Sequence, residues 1–275
     1  MMIRPKIMGV LNITPDSFSD GNQYTSLESA IDQAKLLSMT GADIIDVGGE
    51  STRPGATRVS VQEEQARVLP VIKAIKDLGL AEISIDTMNS ETARAAIEAG
   101  AGIINDVSGG LADEEMFRVA AETCAVLVIS HWRGHSTEMD ALNQYEDIAK
   151  DVARELAERV DVALSQGVAK DRIVIDPGLG FAKDMKQSWE LVARLDELEK
   201  LGLPILVGAS RKRFIAGVLE RDEPSSVGNE RRDTATAVLT ALLLQRKLWG
   251  VRVHNTLATL DAINIVQALR NGSGE

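Results

Sequence analysis

Hydrophobic and polar positions along this chain fall into a repeating block. Short apolar runs rich in Val and Ile occur at 7–13 (IMGVLNI), 44–49 (IIDVGG), 83–87 (ISIDT), 103–106 (IIND), 126–131 (VLVISH), 173–178 (IVIDPG), 205–210 (ILVGAS) and 251–255 (VRVHN). Each run is followed by a polar or glycine-rich patch, and then by a stretch of helical character. Leu27, Ala30, Ile31, Ala34 and Leu37, for example, follow the i, i+3, i+4, i+7 rule of an amphipathic helix. Strands that alternate with helices pair in parallel through right-handed crossovers. Eight such units predict an α/β protein, a (β/α)8 barrel forming a single domain over residues 1–275. The alternative, a doubly wound open sheet, lacks support because no dinucleotide-type glycine fingerprint follows the first run.

Helix boundaries are marked locally. Thr25 with Glu28, and Ser60 with Glu63, have capping-box spacing. Gly41, Gly100, Gly167 and Gly202 stand just after helical stretches, where a left-handed residue is wanted.

Composition narrows the function classes. The chain has 275 residues, 44% of them hydrophobic, enough for a sizeable core. Its formal net charge of -11 argues against general nucleic-acid binding, which needs a broad basic face. No run approaches the length of a membrane span, and the start, MMIRPKIMGV, is too short in apolar residues for a signal peptide. The single cysteine, Cys124, excludes an internal disulfide and reads as a small buried hydrophobe. A cytoplasmic location is expected, with no membrane and no nucleic-acid partner.

Polar side chains gather where such a barrel places its chemistry, at the carboxyl ends of the strands. They are Asn12, the stretch Glu50-Ser51-Thr52-Arg53, Asp86, Asn105 with Asp106, His131, Asp176, Ser210 with Lys212, and Arg252 with His254. Strand alternation puts Arg252 and His254 on one face, with Val251 and Val253 facing the helices. By the same rule Ser84 and Asp86 oppose Ile83 and Ile85, and Val174 and Asp176 oppose Ile173 and Ile175. Buried carboxylates and cations without partners cost several kcal/mol each, so a purely structural barrel rarely keeps so many. Bland roles stay open for individual residues. Asp86 can cap a helix, though Asn89 and Ser90 are better placed; Asn105 and Asp106 can form turns; Arg252 can bridge to Asp86 or Asp176. His131 can be a satisfied core histidine with Ser130 facing inward, and Arg211 an ordinary surface ion pair.

The segments NITPDSFSDGNQYTS (12–26) and GGESTRPGATRVS (48–60) are long, polar loops on the same side, suited to lids or substrate contacts. No Walker-type loop, CxxC pair or HExxH is present. At 205–214, ILVGASRKRF ends a buried run in three cations, which asks for an anion nearby.

MGVLNITPDSFSDG, DVGGESTRPGA, SIDT, INDVSGG, DPGLGF, GASRKRF and RVHN, in this order, resemble the signature stretches of the dihydropteroate synthases, from about Ile7 to Ala268. The resemblance implies a (β/α)8 barrel, a homodimer, and condensation of p-aminobenzoate with a dihydropterin methyl diphosphate, with Mg²⁺ assisting and sulfonamides as inhibitors. It implies that Asp86, Asn105, Asp176 and Lys212 bind the pterin, with Asp86, Asp176 and Lys212 the catalytic set. Arg252 and His254 match an anion pocket, Asn12 the residue that contacts Mg²⁺, and Thr52 a contact to the diphosphate substrate. Arg53, Pro54 and Phe18 match the loops that shape the p-aminobenzoate pocket, and Phe181 and Arg213 complete the substrate-binding set. The helix after Lys212 is expected to receive the p-aminobenzoate carboxylate at its N-terminus.

Three positions depart from the family's common pattern: Asn22 where a second glycine often stands, Arg213 in place of a serine, and Asn255 in place of an aspartate. Two rivals remain at this point, a pterin-binding methyltransferase barrel and a silent pterin-binding paralogue. The methyltransferase needs neither SRKRF nor RVH to hold a diphosphate; pterin binding without turnover would mark the paralogue.

Overall fold

The computed structural model describes residues 4–14, 23–50, 58–134, 142–220 and 223–273. Thr52, Arg53, Pro54, Phe18 and Asn22 lie outside these residues. The strands are β1 (Lys6–Asn12), β2 (Ile44–Gly48), β3 (Glu82–Asp86), β4 (Ile103–Asp106), β5 (Val126–Ser130), β6 (Ile173–Asp176), β7 (Leu206–Val207) and β8 (Gly250–Val253). All pair in parallel in the order β6-β5-β4-β3-β2-β1-β8-β7, and a bridge between Ile175 and Ile205 joins the two ends into a barrel. Between strands run α1 (Gln23–Met39), α2 (Val61–Leu78), α3 (Ser90–Ala99), α4 (Met116–Thr123), α5 (Ile148–Ser165), α6 (Met185–Ala193) and α7 (Asp196–Glu199). They are followed by α8 (Arg213–Leu219), α9 (Asn229–Leu243) and, after β8, α10 (Thr256–Ser273).

The two-residue alternation builds two cores. Met8, Ile44, Ile103, Val128, Val174 and Leu206 meet inside the barrel and plug it. Their neighbours Ile7, Ile45, Ile83, Ile85, Ile104, Ile173, Ile175, Val251 and Val253 join the larger core between strands and helices. Above the apolar plug the inward positions turn polar, so the chain has nowhere to put those side chains except the mouth.

Local signals act largely as the sequence suggests. Ser60 caps α2 by accepting from the Glu63 backbone N–H, while the Glu63 side chain pairs with Arg67 instead of closing the box. α1 begins at Gln23, so Thr25 lies within the helix and not at its cap. Asp184 and Gln187 form a complete capping box on α6 that the sequence reading did not single out. Gly41, Gly100, Gly167 and Gly202 all take positive φ.

β7 is shorter than its apolar run predicts. Beyond Val207 the chain leaves the sheet through a tight turn in which the Lys212 N–H donates to the Ala209 carbonyl and Arg211 takes φ +60°. Cys124 is a correction: it is exposed, at φ 54° in the left-handed cap of α4, because the helix ends at the surface there. No helix among the described residues is long and apolar enough to cross a membrane.

Candidate active site

The polar layer converges on Arg252. Its Nε donates to Asp46 Oδ2 at 2.6 Å and its Nη2 to Asp86 Oδ2 at 2.7 Å, tying β8 to β2 and β3. Asp46 Oδ2 also accepts from Asn105 Nδ2 at 3.1 Å, which adds β4. Asp46 is fully buried, Asp86 and Asn105 nearly so. Asp86 is thus an ion-pair partner in the barrel and caps no helix. Arg252 is the bridge that the sequence allowed, with a second carboxylate that the sequence reading passed over. Asp46 is legible as the inward residue two places before Gly48 in β2, although it lies one step below the strand end.

This arrangement shifts protonation. Burial raises the Asp86 carboxyl to about 7, with Arg252 opposing and Asp46 adding to the rise. Burial works against the Arg252 charge, but Asp46 and Asp86 outweigh it and hold the guanidinium above its ordinary range. Asp46 Oδ1 and Ser84 Oγ, on residues paired in register, are buried without a protein partner among the described residues. Such atoms are costly to leave unmade, so this layer has hydrogen-bonding capacity to spare.

On the opposite wall stand Asp176 and Lys212. Asp176 Oδ1 accepts from the Gly178 N–H at 2.7 Å, and burial raises its pKa while Lys212 opposes the rise. Lys212 precedes α8 as its N-cap; its ammonium donates to the Leu179 carbonyl and lies 4.7 Å from the centre of the Phe181 ring. Burial lowers it to about 8, with Asp176 pulling the other way. A Cβ at Gly208 would sit 3.5 Å from Asp176 Oδ2 and 4.0 Å from Lys212 Nζ, so the missing side chain keeps the space between them open.

His254, half-buried, meets Ser210 in the turn after β7: the Ser210 hydroxyl lies 3.0 Å from His254 Nδ1 and accepts from the His254 N–H at 3.2 Å. Asn12 is half-buried at the end of β1, opposite Gly48. Arg213 is exposed on the first turn of α8, apart from the Asp46–Arg252–Asp86 layer. Arg211 forms a paired-fork contact to Asp233 at 2.8 and 2.7 Å; because Asp233 is buried, this is more than a surface pair. Asn255 accepts from the Ala258 N–H at 3.0 Å and so caps α10, work that asparagine and aspartate do equally well.

Two strand-end residues point elsewhere. Asp106 is a turn former, accepting from Ser108 N–H, Ser108 Oγ and Gly110 N–H at 2.6–2.8 Å. His131 turns away from the barrel to Glu155 and Lys183, leaving Ser130 inward in register with Asp176. Beside Asp86, a small open pocket is lined by Glu50, Glu64, Asp86, Thr87 and Met88. Glu64 there is buried and accepts from Thr87 Oγ1, Asn89 Nδ2 and Thr92 Oγ1 at 2.7–2.8 Å, which explains why Asn89 does not cap α3 with its side chain.

A barrel whose mouth sets three carboxylates and an amide against an arginine and a lysine suits a flat heterocycle rich in N–H groups. Residues 8–254 match the family model of the pterin binding enzymes. A dihydropteroate synthase from Streptococcus pyogenes serotype M3 is 46% identical over 263 residues, covering 96% of this chain and 95% of the relative. The Clostridium difficile dihydropteroate synthase solved in the presence of pteroic acid is 40% identical with a TM-score of 0.89, covering 97% of each chain. A Yersinia pestis dihydropteroate synthase in complex with a sulfonamide drug is 35% identical with a TM-score of 0.89, covering 98% of this chain and 95% of the other. The chain belongs to the dihydropteroate synthase family.

Proposed function

We propose that this chain joins p-aminobenzoate to (7,8-dihydropterin-6-yl)methyl diphosphate, giving 7,8-dihydropteroate and pyrophosphate. The observation that carries this reading is the set of Asp86, Asn105, Asp176 and Lys212 around one barrel mouth, in a chain of this family. The pterin's amino and ring N–H groups are donors for Asp86, Asp176 and the Asn105 carbonyl oxygen, and its ring carbonyl is an acceptor for Lys212. Asp46 Oδ1, buried without a partner among the described residues, adds acceptor capacity below.

The C–O bond to diphosphate breaks with its electron pair on oxygen, leaving a methylene whose positive charge spreads into the ring. Fixed carboxylates lower that barrier because they face charge that develops only in the transition state. The amine lone pair of p-aminobenzoate then forms the C–N bond and the nitrogen gives up a proton. Arg252 of β8 and His254 just beyond its end bound the side to which the diphosphate departs. No nucleophilic Ser or Cys is required. Arg213, on the first turn of α8, is our candidate for the p-aminobenzoate carboxylate, and sulfonamides would compete for that place.

Mg²⁺ fits as a partner of the substrate. Among the described residues no group of three or more His, Cys, Asp or Glu could hold a metal, and Asn12 supplies one neutral oxygen. A hard cation kept by one protein ligand, waters and phosphate oxygens is normal for magnesium. Bound there, it would neutralise the leaving diphosphate. A homodimer is supported by an apolar face: Val238 and Leu242 on α9, and Ile265 and Leu269 on α10, are 57–74% exposed on packed neighbouring helices. A cytoplasmic site of action agrees with an acidic chain whose one cysteine cannot form an internal disulfide.

The test is coupled measurement of pyrophosphate release and dihydropteroate formation with both substrates and Mg²⁺. Matched release that depends on both substrates supports the synthase; pterin binding without either product refutes it.

A further inference from the structure

Lys183 lies just beyond the loop that follows β6, and its side chain folds back beneath that loop. It is 7% exposed. Its amino group meets His131 Nδ1 at 2.8 Å, the Gly178 carbonyl at 3.0 Å and the Phe181 carbonyl at 3.0 Å. Burial and the Lys212 charge lower its pKa well below the ordinary lysine value, while three acceptors around it favour the protonated form, which alone has an N–H for each. For Nδ1 to accept, His131 must carry its proton on Nε2, which then donates to Glu155 Oε2 at 3.0 Å. Glu155 is itself fixed by Arg133, whose Nε and Nη2 donate at 2.9 and 2.5 Å. Burial, followed by the nearby Lys183 charge, lowers His131 to about 4, so the ring is neutral at ordinary pH.

The loop above needs such a clamp. Gly178, Gly180 and Ala182 take φ of +63°, +76° and +48°. The alanine alone costs about 1–2 kcal/mol in that conformation. This backbone leaves carbonyls pointing away from any sheet, and buried carbonyls need donors. Lys183 serves Gly178 and Phe181, and Tyr145 Oη donates to Ala182 at 3.0 Å. The remaining face of the loop is the wall against which Lys212 lies: the Leu179 carbonyl accepts from its ammonium, the Phe181 ring flanks it, and a Cβ at Gly180 would sit 3.5 Å from Lys212 Cδ. A shift of the loop therefore moves the lysine assigned to the pterin.

We propose that Lys183 is a positioning residue for the reaction, clamping the loop after β6 so that Leu179 and Phe181 hold Lys212 in its binding geometry. It touches no substrate itself. The proposal rests on the synthase reading above. A residue with a merely structural role would be served by an apolar side chain, since a buried ammonium gains nothing there unless its three donors are used.

The experiment is Lys183→Met in the full chain, with steady-state kinetics in the pterin diphosphate, far-UV circular dichroism and Tm. Methionine keeps the stem and removes the donors. The expected result is a KM for the pterin substrate raised tenfold or more, with kcat changed less than threefold and a wild-type spectrum. A lowered kcat at unchanged KM, the signature of a smaller folded fraction, overturns the proposal. Should Lys183→Met not fold, Tyr145→Phe removes only the donor to Ala182, and its KM should rise about threefold; an unchanged KM there overturns the proposal as well. Wild-type protein that neither binds nor turns over the pterin diphosphate would instead bring down the synthase reading, so the two failures are distinct.

Discussion

Arg252→Met isolates the polar layer of the barrel. The substitution keeps much of the stem but removes hydrogen bonds of 2.6 and 2.7 Å to two carboxylates, one fully buried and one 7% exposed. Removing one partner of a buried pair costs about 3–5 kcal/mol, because the other charge is left uncompensated. With an unfolding entropy of about 2.1 cal/mol/K per residue, a chain of 275 residues loses about 0.6 kcal/mol for each degree near Tm. The expected fall in Tm is therefore about 5–8 °C at pH 8. The pH dependence is more diagnostic. Folded Asp86 sits at about 7, far above an ordinary carboxylate, so charging it destabilises the fold as pH rises toward that value. Without Arg252, the largest influence lowering that pKa is gone and the folded value climbs further. Below 7 both proteins hold Asp86 protonated; above 7 only the variant resists ionisation, at about 1.4 kcal/mol per pH unit. The deficit should be smaller at pH 6 than at pH 8 by about that amount. Calorimetric or circular-dichroism melts of both proteins at the two pH values check this. A Tm within 2 °C of wild type at pH 8, or a deficit equal at both values, would refute the reasoning.

Other outcomes follow from the same geometry. If the charged forms of Asp86 and Lys212 do the work, kcat/KM for the pterin substrate should rise with pH through about 7 and fall through about 8, a narrow bell read from initial rates. A flat profile from pH 6 to 9 would contradict it. Lys212→Met should abolish pterin-substrate binding by calorimetry, and unchanged turnover would remove it from the site. Gly178→Ala places a Cβ 2.0 Å from the His131 carbonyl oxygen at φ +63°, so chemical denaturation should show a loss of about 2–5 kcal/mol, with pterin affinity falling too. Asp46→Ala, which frees Arg252 and Asn105 from their shared acceptor, should weaken pterin binding at least tenfold although the residue lies below the strand ends.

Much of this protein is determined by short-range pattern. The alternation of Ile83 and Ile85 with Ser84 and Asp86 is a property of the strand itself, and so is the opposition of Arg252 and His254 to their valine neighbours. Eight repeats of strand and helix leave the barrel as the natural closure, and the order of the motifs carries the family. Helix signals such as Ser60 and Gly202 likewise act within one turn of chain. What the sequence left open depends on distances across the barrel. Which of Asn105 and Asp106 faces inward was decided by the turn that Asp106 makes with Ser108 and Gly110. His131 was turned outward because Glu155 of α5 and Lys183 wait on that side. Cys124 was exposed because α4 ends at the surface. Above all, Asp46 and Arg252 stand 206 positions apart in the chain, and no local spacing relates them. Only the closing of β8 against β1, beside β2, brings the two charges to hydrogen-bond distance, because neither can be buried without a partner of the opposite sign.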